Sequence, residues 1–174
     1  IRELAPFNTF YAQAHKVTVN SVDLGDKDTV IEPWQFCDQC AHMAPVSTTH
    51  YSSSCPRCGS ELWHDAGQQH DMLRMRSVAA RTDYQQSLSG DDTEEREQEY
   101  YQAGKYFEVD REQSQGAYLL PDLPFGVEHL DEVVLREINF GLSEQWGQKV
   151  TIAAEEQPEE GFRVCPGCGI VHDR

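Results

Sequence analysis

Six cysteines fall in three Cys-x2-Cys pairs: Cys37 with Cys40, Cys55 with Cys58, and Cys165 with Cys168. Two residues between cysteines let a tight turn aim both sulfurs at one point, and two such turns complete a tetrahedron around a cation. The first two pairs are separated by fourteen residues, within one residue of the spacing typical of four-cysteine zinc sites. In the second turn, Cys55-Pro56-Arg57-Cys58-Gly59, Pro56 presets the bend and Gly59 tolerates a left-handed backbone after it. Amides that follow the first thiolate of such a turn can donate to it and spread its charge. A closed set of four thiolates leaves no position for water, so the Zn2+ expected here is structural and not catalytic. The alternatives are two disulfides or four free thiols. Closely paired thiols in a reducing compartment favour metal, and a redox pair would stand alone at a helix start rather than face a second pair.

Cys165-Pro166-Gly167-Cys168-Gly169 has the same turn chemistry without a further cysteine pair to face. Three readings stay open for it: half of a second zinc site completed from elsewhere in a longer protein, a set using His172 with His64 or His70, or a turn that holds no metal. His64-Asp65 and His70-Asp71 invite a catalytic metal, but their spacing is no recognised metal turn and no third ligand accompanies them. Leu130-Asp131-Glu132-Val133 looks like the acidic pair of an ATPase, yet it lacks a preceding apolar strand. The chain has no Gly-x4-Gly-Lys-[Ser/Thr] phosphate loop, and Gly104-Lys105 is no substitute. No catalytic residue is assigned. Arg74, Arg76 and Arg81, with Tyr84 nearby, form one local basic stripe. It can contact single-stranded nucleic acid by charge and stacking, or simply pair with neighbouring acids.

The elements that position these residues read as mainly β with one or two helices, an α+β chain with a zinc ribbon inserted in or appended to a small antiparallel sheet. Period-two alternation around Phe10 to Ala12 and Val17 to Val22 predicts two strands joined near Ala14 to Lys16. Gly25 marks a turn within Leu24 to Asp28. Thr29 to Phe36 is a third strand, placed on an edge by Pro33, and it runs into Cys37. Alternation from Asp71 to Arg81 predicts one strand with arginines on one face. Ser89 to Tyr101 reads as a helix with acids near its start and Gly104 to stop it. Tyr106 to Val109 is extended, 113–124 is loop-like with Ala117 to Leu120 able to pair, and Val133 to Phe140 is a strand. Lys149 to Ala153 is a strand, 155–160 an acidic loop around Pro158, and Phe162 to Val164 a short strand entering Cys165. The domain reading is a β-hairpin segment over 1–36, the ribbon over 37–63, a mixed β/α accessory region over 64–164 and the start of a further cysteine turn over 165–174.

Thirty acidic residues against fourteen basic ones give a net charge of −16. Phosphate binding draws on Lys and Arg that displace counterions, so any DNA contact must use a local patch. The acid excess serves solubility or docks a basic partner. A mean hydropathy of −0.64 is low for a compact globule and fits polar surface that a larger protein covers; the chain reads as a piece of a longer one. No apolar run is long enough for a membrane span and no signal peptide is evident, so a soluble cytoplasmic setting is expected.

The opening Arg2-Glu3-Leu4-Ala5-Pro6-Phe7-Asn8-Thr9-Phe10-Tyr11, followed by a hairpin and cysteine pairs, resembles the accessory region behind the motor of MrfA-like bacterial DEAD/DEAH-box superfamily-two helicases. That group has a C-terminal zinc-binding domain and includes helicase components of antiphage defence systems such as Druantia and DISARM. The resemblance rests mainly on residues 2–24 and 34–59, and weakly on the Cys165 turn; 85–160 matches nothing. Where those relatives often carry Gly after the Ala-Pro step, this chain has Phe7. The resemblance implies an ATP-dependent DNA translocase as parent, with ATP and Mg2+ confined to motor domains outside this chain. The part played here would be to brace the motor, shape the DNA path or dock a partner subunit. The alternative is a nucleic-acid-binding zinc ribbon of a transcription or topoisomerase-like protein.

Overall fold

A computed structural model of the chain describes residues 4–12, 15–25, 31–49, 53–83, 101–109, 114–142, 149–152, 155–158 and 161–172. Among them the fold is mainly β. Strands are short and antiparallel, and helix is limited to one α-turn, Val46–Thr49, and two 3-10 turns, Glu61–His64 and Ala66–Gln68. No helix among the described residues is long and apolar enough to cross a membrane. The chain divides into two compact units, one built from 1–30, 73–104 and 138–174, the other from 31–72 and 105–137.

In the first unit, β1 (Thr9–Ala12) and β2 (His15–Val22) form the expected hairpin, and a third strand, Val78–Asp83, pairs along the other side of β2. Alternation along β2 is not strict. The register slips between Val19 and Ser21, and this bulge lets both Val19 and Val22 turn inward and become buried; an unbroken period of two would put them on opposite faces. At the same point β2 receives the hairpin that carries Cys165 and Cys168. Asn20 accepts from the Val171 amide at 2.9 Å, and the Val22 amide donates to the Gly169 carbonyl at 2.9 Å. A Cβ on Gly169 would lie 2.0 Å from the Val22 carbonyl oxygen, so only glycine permits the approach. Phe7, at φ 72°, lies in the left-handed region that favours glycine. It is held by its amide on the Val19 carbonyl and by its ring near Phe162, which Tyr101 also meets while donating its hydroxyl to the Pro6 carbonyl at 2.6 Å.

In the second unit, β3 (Ile31–Phe36) leads into the first cysteine turn and β4 (Met43–Pro45) leads out of it. The strand after the two 3-10 turns, β5 (Gln69–Leu73), completes a sheet of order β4-β3-β5. β3 is therefore central and not an edge. Pairing with β4 begins at Trp34, so Pro33, one residue earlier, removes no donor from that ladder. The predicted strand from Asp71 to Arg81 is instead two: β5 ends at Leu73 and β6, the Val78–Asp83 strand of the first unit, begins after a four-residue connection. Ser77 ends this connection by donating to Asp23, whose amide bonds the Ser77 carbonyl.

β7 (Tyr101–Glu108) pairs with β10 (Val134–Leu142), and β8 (Ser114–Leu119) pairs with β9 (Gly126–Leu130). Gly104 sits inside β7 and stops nothing; the helix predicted from Ser89 lies outside the described residues except for Tyr101, which starts that strand. The loop expected over 113–124 is largely a hairpin arm, since β8 pairs from Ser114 to Leu119. The acidic loop expected over 155–160 contains β12 (Glu155–Pro158), paired with β11 (Lys149–Ile152); Pro158 takes the last paired position, where a missing donor is tolerated. The strand expected from Val133 is present as β10.

Gly141, at φ 95°, has the Gly161 carbonyl oxygen 2.6 Å from where a Cβ would stand, whereas Gly67 has open space. Gly141→Ala should cost roughly 2–4 kcal/mol through left-handed strain plus a displaced carbonyl, and Gly67→Ala should stay within about 0.5 kcal/mol. Urea unfolding midpoints of the two variants check this contrast.

Candidate metal centre

Each cysteine pair of the second unit occupies the same backbone turn. The Cys37 amide donates to the His42 carbonyl at 2.8 Å and the Ala41 amide returns to the Cys37 carbonyl at 3.0 Å; Cys55 with Ser60 and Gly59 repeats both bonds at 2.9 Å. The residue four beyond the first cysteine takes positive φ in both, 55° at Ala41 and 79° at Gly59. The glycine foreseen in the second turn is thus used, while Ala41 accepts the same conformation with a side chain. β3 and β4 present the first turn, and the second is closed by the Glu61–His64 turn, whose Trp63 is fully buried against Cys37 and Cys55.

The four sulfurs lie within 4.8 Å of one another. Cys37 Sγ is 3.6 Å from Cys58 Sγ, and Cys40 Sγ is 3.7 Å from Cys55 Sγ. A tetrahedral zinc with Zn–S bonds of about 2.3 Å requires sulfurs about 3.8 Å apart. Disulfides need sulfurs near 2 Å, and all six cysteines are free. The donor set therefore fits a four-thiolate metal ion, and soft thiolates in a tetrahedron select zinc or iron.

Burial pushes the Cys37 thiol up and the Cys40 thiol well above its ordinary range, opposed by amides of Cys40 and Gln39 on Cys37 and of His42 on Cys40. The exposed Cys58 is drawn down, first by the Ser60 amide. Two of the four ligands thus resist ionisation until a cation arrives, and the donating amides already face their sulfurs. His42 stacks on Trp63 at 5.5 Å, and burial draws its imidazole below the ordinary histidine range, with the Arg57 charge adding to the effect. The indole Nε1 of Trp63 is buried with no hydrogen-bond partner among the described residues, beside the four clustered sulfurs.

The second turn also reaches outward. Arg57, between the two cysteines, pairs with Glu128 of β9 at 2.6 Å and lies over the Phe107 ring at 5.3 Å. Sequence reasoning passed over Arg57: its partner is seventy-one residues away, and only its place inside a metal turn hinted at a role.

The other candidates fare differently. His64 is exposed, His70 meets the Phe36 ring edge-on at 5.3 Å, and Asp65 caps the Gly67 amide; among the described residues neither histidine joins a metal-ligand group. Arg74 and Arg76 lie in the connection between β5 and β6 and not on a strand face, while Arg81 is exposed on β6. Arg76 stands over Gly25 and, behind the Gly25 amide and the Ser77 hydroxyl, helps hold the Asp23 carboxyl below its ordinary range. Asp131 ends β9 in a bend and accepts from Gln115. Cys165 and Cys168 form a third turn in the first unit. Compared with known proteins, the chain matches no family model, no curated protein and no solved structure.

Stripping the metal with a chelator should red-shift the fluorescence of Trp63 as its packing on Cys37 and Cys55 is lost; the shift should vanish in Trp63→Phe and be present before any chelation in Cys55→Ser. Because each ligand must shed its proton and burial raises two of the thiols, zinc affinity should fall as pH is lowered. Competition with a chromophoric chelator across a pH series measures that slope.

Proposed function

We propose that the chain is a zinc-stabilised accessory module of a larger ATP-dependent DNA helicase or translocase, where it braces the motor and docks a protein partner. It has no catalytic role of its own in this reading, and the ATP and Mg2+ chemistry belongs to the parent's motor. The docking part rests on one observation above others: the metal turn holds, through Arg57 and Glu128, a hairpin whose apolar side chains are turned outward. Tyr118, Leu119, Phe125 and Val127 are 67%, 85%, 56% and 59% exposed. Scattered exposed apolar residues need no explanation, but Tyr118 and Val127 stand opposite each other on one face of the hairpin, and exposed apolar residues grouped in that way mark an interaction surface. A hairpin of two strands is marginal alone, so its anchorage to a metal centre is the means of keeping that surface presented.

The helicase part rests on the resemblance of the opening residues, and one structural detail supports it. The position where those relatives often carry glycine is Phe7, whose φ of 72° is the conformation that glycine adopts without strain. A defence-system helicase in the cytoplasm is the setting that the resemblance implies. DNA contact through Arg74 and Arg81 is the lesser part of the proposal, since Arg76 is engaged with the Asp23 turn.

The parent's reading frame should contain a phosphate loop and an acidic ATPase motif upstream of Arg2; a frame without them overturns the helicase reading. In the full-length parent, Tyr118→Asp with Phe125→Asp should abolish partner association in pull-down while leaving zinc content unchanged. Undiminished association would overturn the docking reading. Arg57→Ala should weaken the same association several-fold by freeing the hairpin, with the ion pair itself contributing only about 0–1 kcal/mol to stability at such exposure.

A further inference from the structure

The turn at Cys165 is not merely similar in sequence to the two that make the four-thiolate centre. The Cys165 amide donates to the Ile170 carbonyl at 2.8 Å and the Gly169 amide returns to the Cys165 carbonyl at 2.9 Å. These are the same two bonds, between the same relative positions, as at Cys37 and Cys55. Gly169, four beyond the first cysteine, has φ 75°, matching Ala41 and Gly59. The amides of Gly167 and Cys168 donate to the Cys165 sulfur, as those of Gln39 and Cys40 do to Cys37. The flanking segments meet at a single bridge between Val164 and Val171, short of the strand expected over Phe162 to Val164, and the His172 amide closes on the Arg163 carbonyl at 2.9 Å. Two further bonds fix the turn to the bulge of β2, so its shape is held by the sheet and not by crossing cysteines.

We infer that Cys165 and Cys168 form half of a second thiolate site, which takes a soft divalent cation such as Zn2+ and is closed by two ligands from outside the turn. A backbone that points two sulfurs together and turns two amides onto the first has paid for an arrangement that free thiols do not need. Exposure agrees with a site awaiting further ligands: Cys168, Pro166 and Gly167 are exposed and Cys165 is half-buried, in contrast to the buried Cys37 and Cys55. Among the described residues no third His, Cys, Asp or Glu gathers around this pair. Tetrahedral zinc needs four donors, and a second copy of the chain can supply the missing two by two-fold symmetry, presenting the same pair to one shared ion.

The test uses the whole chain with excess Co2+, whose thiolate charge-transfer absorption counts sulfur–metal bonds, on wild type and on Cys165→Ser/Cys168→Ser. The inference predicts wild-type absorption about half again as large as the variant's, six thiolates against four, and unchanged circular dichroism. Sedimentation of the Zn2+ form then separates the sources of the remaining ligands. A metal-dependent dimer lost in the variant assigns them to a second copy, and a monomer holding two ions assigns them to the same chain. Equal absorption in the two proteins overturns the inference. Cys168→His is a second variant that keeps a ligand: it should retain metal with one thiolate fewer, and loss of the second ion's signal only in the serine form separates ligation from a folding defect.

Discussion

Four sulfur atoms within a few ångströms of one another impose the constraint on which the second unit depends. Packed at 3.6 and 3.7 Å, they cannot all ionise without a cation between them, and as neutral thiols they offer little to hold two glycine-like turns in place. A divalent ion reverses this balance. Structural zinc contributes about 10–16 kcal/mol of binding free energy, comparable with the roughly 5–15 kcal/mol net stability of an ordinary domain. The described hydrophobic core beside it is small, with Trp63, Met43 and Phe36 among its most deeply buried side chains, so a bound metal would take on work that apolar burial does in larger folds.

From that centre the effect passes outward by contacts of ordinary strength. Trp63 packs on two ligands and stacks on His42; His42 bridges to Phe107 of β7; Phe36, just before Cys37, meets Tyr106 edge-on at 4.8 Å. Arg136 of β10 lies over the Trp34 ring and pairs with Glu108, an arrangement in which a half-exposed cation is held by both a ring face and a carboxylate. Arg57 carries the same rigidity to the β8–β9 hairpin. None of these pairs would fix a strand alone; the contacts of Trp63, His42 and Arg57 lead back to the two cysteine turns, whose geometry a bound ion would hold.

The cluster of four cysteines was legible because metal-ligand chemistry demands close sequence spacing, and the first hairpin and β10 because apolar alternation and apolar runs survive in short strands. Where the reading failed, a local rule lost to a longer-range one. Pro33 argued for an edge, but it stands outside the ladder with β4, and β3 lies between β4 and β5. Alternation across Asp71 to Arg81 concealed a break after Leu73, and the second strand starts beside a contact between Ser77 and Asp23 that spans fifty-four residues. The bulge at Val19 and Ser21 leaves no mark in residue type, yet it decides which valines are buried and where the Cys165 turn attaches. Both compact units draw on segments far apart in the chain, and pairing of that kind cannot be read from periodicity within any one of them.

X-ray absorption at the zinc edge tests the centre most directly, on the chain carrying Cys165→Ser and Cys168→Ser so that one site is observed. Four sulfur neighbours at about 2.3 Å, with no nitrogen or oxygen in the same shell, are the result that four converging thiolates require. Fewer sulfurs, or a light-atom ligand in their place, or a fully folded protein that holds no metal, would contradict it.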